Sequence, residues 1–487
     1  MTRTYRFAVT FARALLLLFF RRLEVTGAEN IPSERGGILV SWHPNGLIDP
    51  ALILTHLPRK VVFGARHGLF RWPLVGSLLR ALGTVPIYRA IDGSKDSESS
   101  RQDRNRQSLD ALASEVARGS LSALFPEGMS HDAPHLMTLK MGAASLFYRA
   151  RELCPADGLA PVIIPVGLHY DDKAVFRSHA LVAFHPPMVL APSLLESLPT
   201  DSEQRRERYR ALTREIEREL TEAVHATESW ELSRLMHRAR KLVRAERAAR
   251  SGARPGPPDM REQSLGFARV WKAYYAKQQS DPELTRALLE RIARYDHRLM
   301  TLGLEDHELD ADPALMTYQL PIILLLQVLM VYLLLPPMLL AGYLINGPAY
   351  ILLRRLAVVL SKADKDMATI KLLGGLLLYP VSWLAAGLIA AWGQLDLQAS
   401  FPGMPRAPLA AGFSAALAGM LGGVVALRYL KLAKETSRAV RVRLTRHRKR
   451  LTLAELKLER AAICDALLEA AEGLPLPGSV QRDGRVV

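Results

Sequence analysis

Between residues 30 and 190, short β-rich apolar runs alternate with longer stretches of helical period. Gly37–Trp42, Lys60–Gly64, Thr84–Tyr88, Leu121–Phe125, Pro161–Leu168 and Ala180–Phe184 predict strands, since each is a brief β-rich run bounded by turn residues. Arg101–Arg118 and Leu139–Leu153 predict helices between them. This alternation predicts an α/β domain, a mixed sheet with flanking helices. Sites in such sheets gather at the carboxyl ends of strands, and His43, Arg89 and Glu127 each fall just past a predicted strand.

The pattern changes after residue 200. Residues 201–250 are charged and helical, with Tyr209, Leu212, Ile216, Leu220 and Val224 forming one apolar stripe at spacings of three or four. Ser251–Pro258 is rich in Gly and Pro and reads as a linker. Helices resume at Phe267–Tyr275, and Asp281-Pro282 opens another as an N-cap followed by proline. From Tyr318 onward polar positions become rare, with apolar stretches at Leu320–Leu353, Leu372–Trp392 and Leu409–Leu427. Together these predict a C-terminal α-helical transmembrane region.

Pro336-Pro337 interrupts the first stretch, as either a kink in one span or the tip of a hairpin. Basic residues favour the hairpin. Arg354, Arg355, Lys362, Lys365 and Lys371 follow the first stretch, and Arg428 to Arg450 follow the last. The positive-inside rule puts both groups on the cytoplasmic side. If the α/β domain is cytoplasmic too, an even number of crossings must precede Arg354, which a hairpin supplies. The expectation is a multi-pass membrane protein with its α/β domain on the cytoplasmic side.

The expected organisation is then 1–24 as an anchor helix, 25–200 as the α/β domain, 201–317 as a charged helical region, 318–430 as the transmembrane region and 431–487 as a basic cytoplasmic tail. Arg3, Arg6 and Arg13 with the short run Ala14–Phe20 fit an interfacial helix or one packed on the domain. A chain of 487 residues is too long for one core. Net charge of +16 and a pI near 9.9 call for a polyanionic partner, nucleic acid or an anionic membrane surface. Zinc-finger spacing, RNA-binding aromatic signatures and basic-zipper arrays are absent from the sequence, so the anionic phospholipid membrane is preferred and no nucleic-acid partner is expected. Cys154 and Cys464 are too few and too far apart for a disulfide framework.

Chemistry concentrates in the first domain. His43-Pro-Asn-Gly-Leu-Ile-Asp49-Pro50 places an imidazole six residues before a carboxylate, the minimum equipment for taking a proton from a hydroxyl. Asp49 could equally cap a helix opening at Pro50. Gly83-Thr-Val-Pro-Ile-Tyr-Arg89 delivers a guanidinium, the preferred fork for phosphate oxygens, at a strand end. Phe125-Pro-Glu127-Gly128-Met-Ser130-His131 offers a carboxylate and a glycine turn whose amides can bind an anion. His131 and His135 are four apart, but Pro134 between them spoils a helical metal-ligand pair.

Taken jointly, these elements resemble the glycerolipid acyltransferase family of lysophosphatidate and glycerol-3-phosphate acyltransferases. The resemblance covers roughly residues 25–190 and includes Arg66 before the second motif and Val162-Ile-Ile-Pro165-Val-Gly-Leu168 as the proline-containing apolar strand. The usual family spacing has four residues between His and Asp, whereas five stand here. The third motif usually continues Thr-Arg-Ser, but here continues Met129-Ser130-His131-Asp132. Both variants are nearest the branch with the fungal glycerol-3-phosphate/dihydroxyacetone-phosphate acyltransferases. The resemblance implies direct acyl transfer from acyl-CoA or acyl-carrier protein to a glycerol phosphate hydroxyl. His43 and Asp49 would be catalytic, and Arg66, Arg89, Glu127, Gly128 and Ser130 would bind the acceptor. No cofactor and no metal are implied. Acylation of another small or lipid hydroxyl, or a non-catalytic basic membrane scaffold, are the alternatives.

Overall fold

The predicted strands assemble around Gly37–Ser41, every residue of which is buried. The computed structural model describes residues 2–57, 59–88, 98–155, 157–310, 319–361 and 364–487. They form two units: Met1–Ser233 with 258–264 and 362–369, and the remaining residues.

In the first unit the chain runs α1 (Arg3–Phe19), β1 (Arg22–Thr26), β2 (Gly37–Ser41), α2 (Ile48–Thr55), β3 (Val61–Arg66), α3 (Pro73–Ala81) and β4 (Val85–Ile87). It continues α4 (Glu98–Ala117), β5 (Leu121–Leu124), α5 (Gly142–Leu153), β6 (Val162–Tyr170), β7 (His179–Phe184), α6 (Pro192–Leu195) and α7 (Ser202–Val224). The seven strands make one sheet in the order β1-β7-β6-β2-β5-β3-β4. Strands β6, β2, β5, β3 and β4 are mutually parallel, while β7 runs antiparallel to β6 and parallel to β1. The sheet is therefore mixed, as its sequence predicts. Strand β1 is the one the pattern hides. Its five residues, Arg-Leu-Glu-Val-Thr, lie at the sheet edge and carry little apolar signal.

Central strands of a parallel sheet are covered on both faces, which is why β2 reads as an unbroken apolar run. Helices α4, α5 and α7 supply one cover, where Leu112, Val116, Leu146, Phe147, Leu212, Ile216 and Leu220 meet Ile38 and Val40. The stripe of α7 thus belongs to the core of this unit, which continues to Ser233. Helix α1 buries Tyr5, Ala8, Ala12, Leu16 and Phe19, while Phe7, Phe11, Leu17 and Leu18 remain exposed. One face is thus docked and the other is exposed.

The second unit contains most of α8 (Trp230–Ser251), α9 (Met260–Ser280), α10 (Pro282–Thr301) and, far along the chain, α16 (Arg450–Ala470). Its core joins Leu235, Ala239 and Leu242 of α8 to Ile292, Tyr295 and Leu299 of α10 and to Leu456, Ile463 and Cys464 of α16. Arg460, 1% exposed, donates to Glu246 at 2.9 Å and to Asp310 at 2.6 Å. Such buried charges persist only because each is met by a partner.

Helices α11 (Gln319–Leu329), α12 (Leu335–Met338), α13 (Leu340–Leu360), α14 (Asp364–Ser400) and α15 (Pro408–Arg448) carry the apolar stretches. Among the described residues, three helices are long and apolar enough to cross a membrane: Gly342–Leu360, Lys365–Ser400 and Pro408–Arg448. The hairpin expected at Pro336-Pro337 is not formed. Along residues 319–360 the partners on α15 descend without reversal. Gln327 donates to Thr436, Tyr332 to the Ala433 carbonyl, Gly342 abuts Gly422, and Asn346 donates to the Gly419 carbonyl. Residues 319–360 are therefore one kinked path running antiparallel to α15. The two prolines remove amide donors to the turn before them, and Met330–Leu334 absorbs the loss as a π-helical turn. The start of α11 and Arg354-Arg355 thus lie at opposite ends of this kinked path.

Candidate active site

Strands β2 and β5 are adjacent and parallel, with Gly37 opposite Leu121 and Val40 opposite Leu124. Their following loops leave the same edge of the sheet, so His43 and Glu127 emerge side by side. Strand β6 flanks β2 on its other side, with Ser41 opposite Val166, and runs on to Tyr170 at that edge.

His43 Nδ1 lies 2.8 Å from Asp49 Oδ2. Asp49, 0% exposed, also accepts from the Asn45 amide at 2.7 Å and from the Tyr170 hydroxyl. Helix α2 opens at Ile48, so Asp49 lies within the first turn rather than capping it from outside. A buried carboxylate is costly unless donors meet its charge, and here three do. Burial, and then the neighbouring Asp49, raise the Tyr170 phenol well above its usual range, so the phenol remains a donor. With Nδ1 directed at Asp49, the imidazole presents Nε2 as its proton acceptor. The ring stacks on Phe125 with centroids 4.1 Å apart, which fixes its plane.

Glu127 braces the histidine's backbone. Glu127 is 2% exposed, and both oxygens are taken by the protein. Oε2 accepts the His43 amide at 3.0 Å, and Oε1 accepts His131 Nε2 at 2.6 Å and the Met137 amide at 2.9 Å. The His131 amide in turn donates to the His43 carbonyl at 3.0 Å. Both backbone groups of His43 are thus held by the Phe125–His131 loop. His131 Nδ1 accepts from the Ala133 amide, so both of its ring nitrogens are engaged within the loop.

Gly128 follows with φ +73°, the left-handed region, and a Cβ there would stand 2.7 Å from Lys140 Nζ. Ser130 presents its carbonyl to Lys365 Nζ at 2.6 Å. Lys365 stands in the first turn of α14, within the short 362–369 segment that belongs to this unit. The same turn covers Gly46, where a Cβ would meet the Lys365 carbonyl and Thr369 Oγ1, each at 3.2 Å. Arg66 ends β3, two strands from β2 on the same edge, and is exposed. Arg89 lies outside the described residues.

Tyr170, His131 and Lys173 also join the site, without a sequence signal that marks them as site residues. Lys173 donates to the Pro44 carbonyl at 3.0 Å and to Asp132 at 2.6 Å, tying the two loops together. Glu127 and His131 stand four apart, a spacing that a short loop can fold into one pair. Tyr170 carries only a weak signal, standing two residues past the apolar run Pro161–Leu168 although β6 extends to include it.

A family model described as Acyltransferase matches residues 22–169. Over 378 residues the chain is 24% identical to an uncharacterized acyltransferase of Schizosaccharomyces pombe, covering 61% of this chain and 54% of that protein. Glycerol-3-phosphate O-acyltransferase 2 of Saccharomyces cerevisiae is 26% identical over 188 residues, 38% of this chain and 23% of that protein. The chain thus spans between about a quarter and about half the length of these curated relatives. Among solved structures, the 1-acyl-sn-glycerophosphate acyltransferase PlsC from Thermotoga maritima is 20% identical, with a TM-score of 0.30, over 44% of this chain and 79% of that one. Residues 22–169 are an Acyltransferase-family domain, distantly homologous to the yeast glycerol-3-phosphate O-acyltransferases.

Proposed function

We propose that the protein moves a fatty acyl group from a thioester, acyl-CoA or acyl-carrier protein, to a hydroxyl of glycerol-3-phosphate or 1-acylglycerol-3-phosphate. The observation that carries this reading is the 2.8 Å contact of His43 Nδ1 with buried Asp49, made by a histidine whose backbone is pinned on both sides. His43 Nε2 takes the proton of the acceptor hydroxyl as its oxygen attacks the thioester carbonyl. The imidazolium, steadied by Asp49, returns that proton to the departing thiolate as the tetrahedral intermediate collapses. The fungal relative's name supports glycerol-3-phosphate as acceptor, and the five-residue gap between His43 and Asp49 points the same way.

The three apolar helices would keep this chemistry at a membrane, where acyl tails partition at about 0.8 kcal/mol per methylene. Arg354 and Arg355 on α13, and the basic residues from Arg428 to Arg450, suit anionic headgroups. The test is an acyl-transfer assay on detergent-solubilised full chain, offering labelled acyl-CoA with glycerol-3-phosphate, dihydroxyacetone phosphate or lysophosphatidate. One labelled lipid is expected, and His43→Ala should lower its rate by about 10²–10⁴-fold. Unchanged turnover in a folded His43→Ala protein would remove His43 from the mechanism.

A further inference from the structure

Residues 479–487 of the second unit turn back on themselves as a small hairpin. Ser479 and Val487 exchange backbone hydrogen bonds of 2.9 Å, and the Gln481 amide donates to the Arg485 carbonyl at 2.8 Å. The hairpin is seated on the helices behind it. Arg269 of α9 donates to the Pro477 carbonyl at 2.9 Å and to the Gly478 carbonyl at 3.0 Å. Gly484, at φ +84°, lies flush on α8, where a Cβ would stand 2.8 Å from the Arg244 carbonyl oxygen. This docking brings Gln481 and Arg482 to the end of α8. There, with Arg247, Arg250 and Ser251, they line a cavity of about 380 Å³, within the range of roughly 300–1,000 Å³ typical of small-molecule sites.

Three guanidiniums thus line one cavity, and carboxylates meet only one of them. Arg250 donates to Glu246 at 2.8 Å and to Asp465 at 2.7 Å. Glu246 is shared with Arg460, and Asp483 is taken by Arg485 at 2.6 Å. Among the described residues Arg247 and Arg482 make no ion pair or side-chain hydrogen bond. Arg247 also acts on its neighbour: burial, and then Arg247, push the Arg269 guanidinium below its ordinary value. The C-terminal dipole of α8 suits Arg250 in its last turn. It does not account for Arg482, which a separate segment carries in to stand beside like charges. Gathering like charges costs free energy that an anion among them recovers.

We infer that this cavity is a binding site for a phosphate-bearing ligand. Guanidinium forks meet phosphate oxygens two at a time, and a terminal phosphate carries nearly the double charge that Arg247 and Arg482 leave unmatched. Gln481 adds an amide donor. The site lies outside residues 22–169 and does not rest on the acyl-transfer reading. A soluble phosphate compound and the headgroup of an anionic phospholipid both present this chemistry.

The experiment maps arginine modification by phenylglyoxal on the detergent-solubilised full chain, residue by residue, by mass spectrometry. Inorganic pyrophosphate, dihexanoyl phosphatidate and dihexanoyl phosphatidylcholine are added separately at constant ionic strength. Pyrophosphate, phosphatidate or both should slow modification of Arg247 and Arg482 by about tenfold at ten times the dissociation constant. Exposed Arg206 on α7 should keep its rate. Protection by pyrophosphate alone assigns a soluble ligand, and protection by phosphatidate alone assigns a lipid headgroup. Protection by both makes the phosphate group itself the determinant. Arg482→Gln should weaken the protection at Arg247 by about tenfold or more, the size of a lost charged hydrogen bond. Arg482 is exposed, and an unchanged melting temperature checks that its variant keeps the fold. Protection of neither arginine overturns the inference, as does equal slowing at Arg206. Phosphatidylcholine that protects as well as phosphatidate overturns it too, and so does protection at Arg247 that Arg482→Gln leaves unchanged.

Discussion

Asp49 and Glu127 are both buried carboxylates on loops that leave adjacent parallel strands, and each accepts three hydrogen bonds. Both serve His43, yet they grip different parts of it. Asp49 holds the imidazole by Nδ1 and so governs its tautomer. Glu127 holds the backbone amide and, through His131, secures the loop that holds the carbonyl. One loop sets which nitrogen is engaged, and the other sets where the residue stands. Identical residue chemistry at equal burial thus divides into an electronic and a mechanical role.

Asp49→Asn should break the comparison hardest. It keeps the shape but loses the charge that favours imidazolium, so kcat should fall by about 10²–10⁴-fold with little change in either KM. A rate within a few-fold of wild type would put Asp49 in a purely structural role. Glu127→Ala should act chiefly on the fold, because it strands the His43 and Met137 amides and His131. A loss of ~3–5 kcal/mol in stability is expected, read as a lower melting temperature, with donor and acceptor KM disturbed alike. A selective rise in acceptor KM would instead show that Glu127 touches the substrate. Tyr170→Phe removes one of three bonds to Asp49 and is the mildest. It should lower kcat by about tenfold or less and leave the melt nearly unchanged. An effect as large as that of Asp49→Asn would mean that the phenol touches the reacting groups.

Much of this arrangement is legible in the sequence because strand cores are written locally. Six of the strands coincide with apolar runs, and the ends of β2 and β5 place His43 and Glu127 before any contact is known. What escapes is whatever depends on pairing between distant segments. Edge strand β1 has no apolar run to announce it. Tyr170 meets Asp49 only because β6 lies beside β2, and strand order is not written in either run. Nothing local in the motif reveals that Glu127 accepts from the His43 and Met137 amides. The Pro336-Pro337 pair is visible, but choosing a kink over a hairpin requires the register against α15, about a hundred residues away.

The first unit is discontinuous in sequence, and this orders its completion in time. Ribosomes release chain at ~5–20 residues per second, so the sheet, His43, Asp49 and Glu127 can be folded while residues 362–369 are still unsynthesised. More than a hundred residues separate Ser233 from that segment, a delay on the order of ten seconds. The turn bearing Lys365 also arrives between two long apolar helices, and so emerges with the segments that must find the bilayer. Biogenesis would thereby deliver His43 and Asp49 first and finish the loops around them last, so a nascent chain stalled before residue 362 would carry the pair without the Lys365 contact to Ser130.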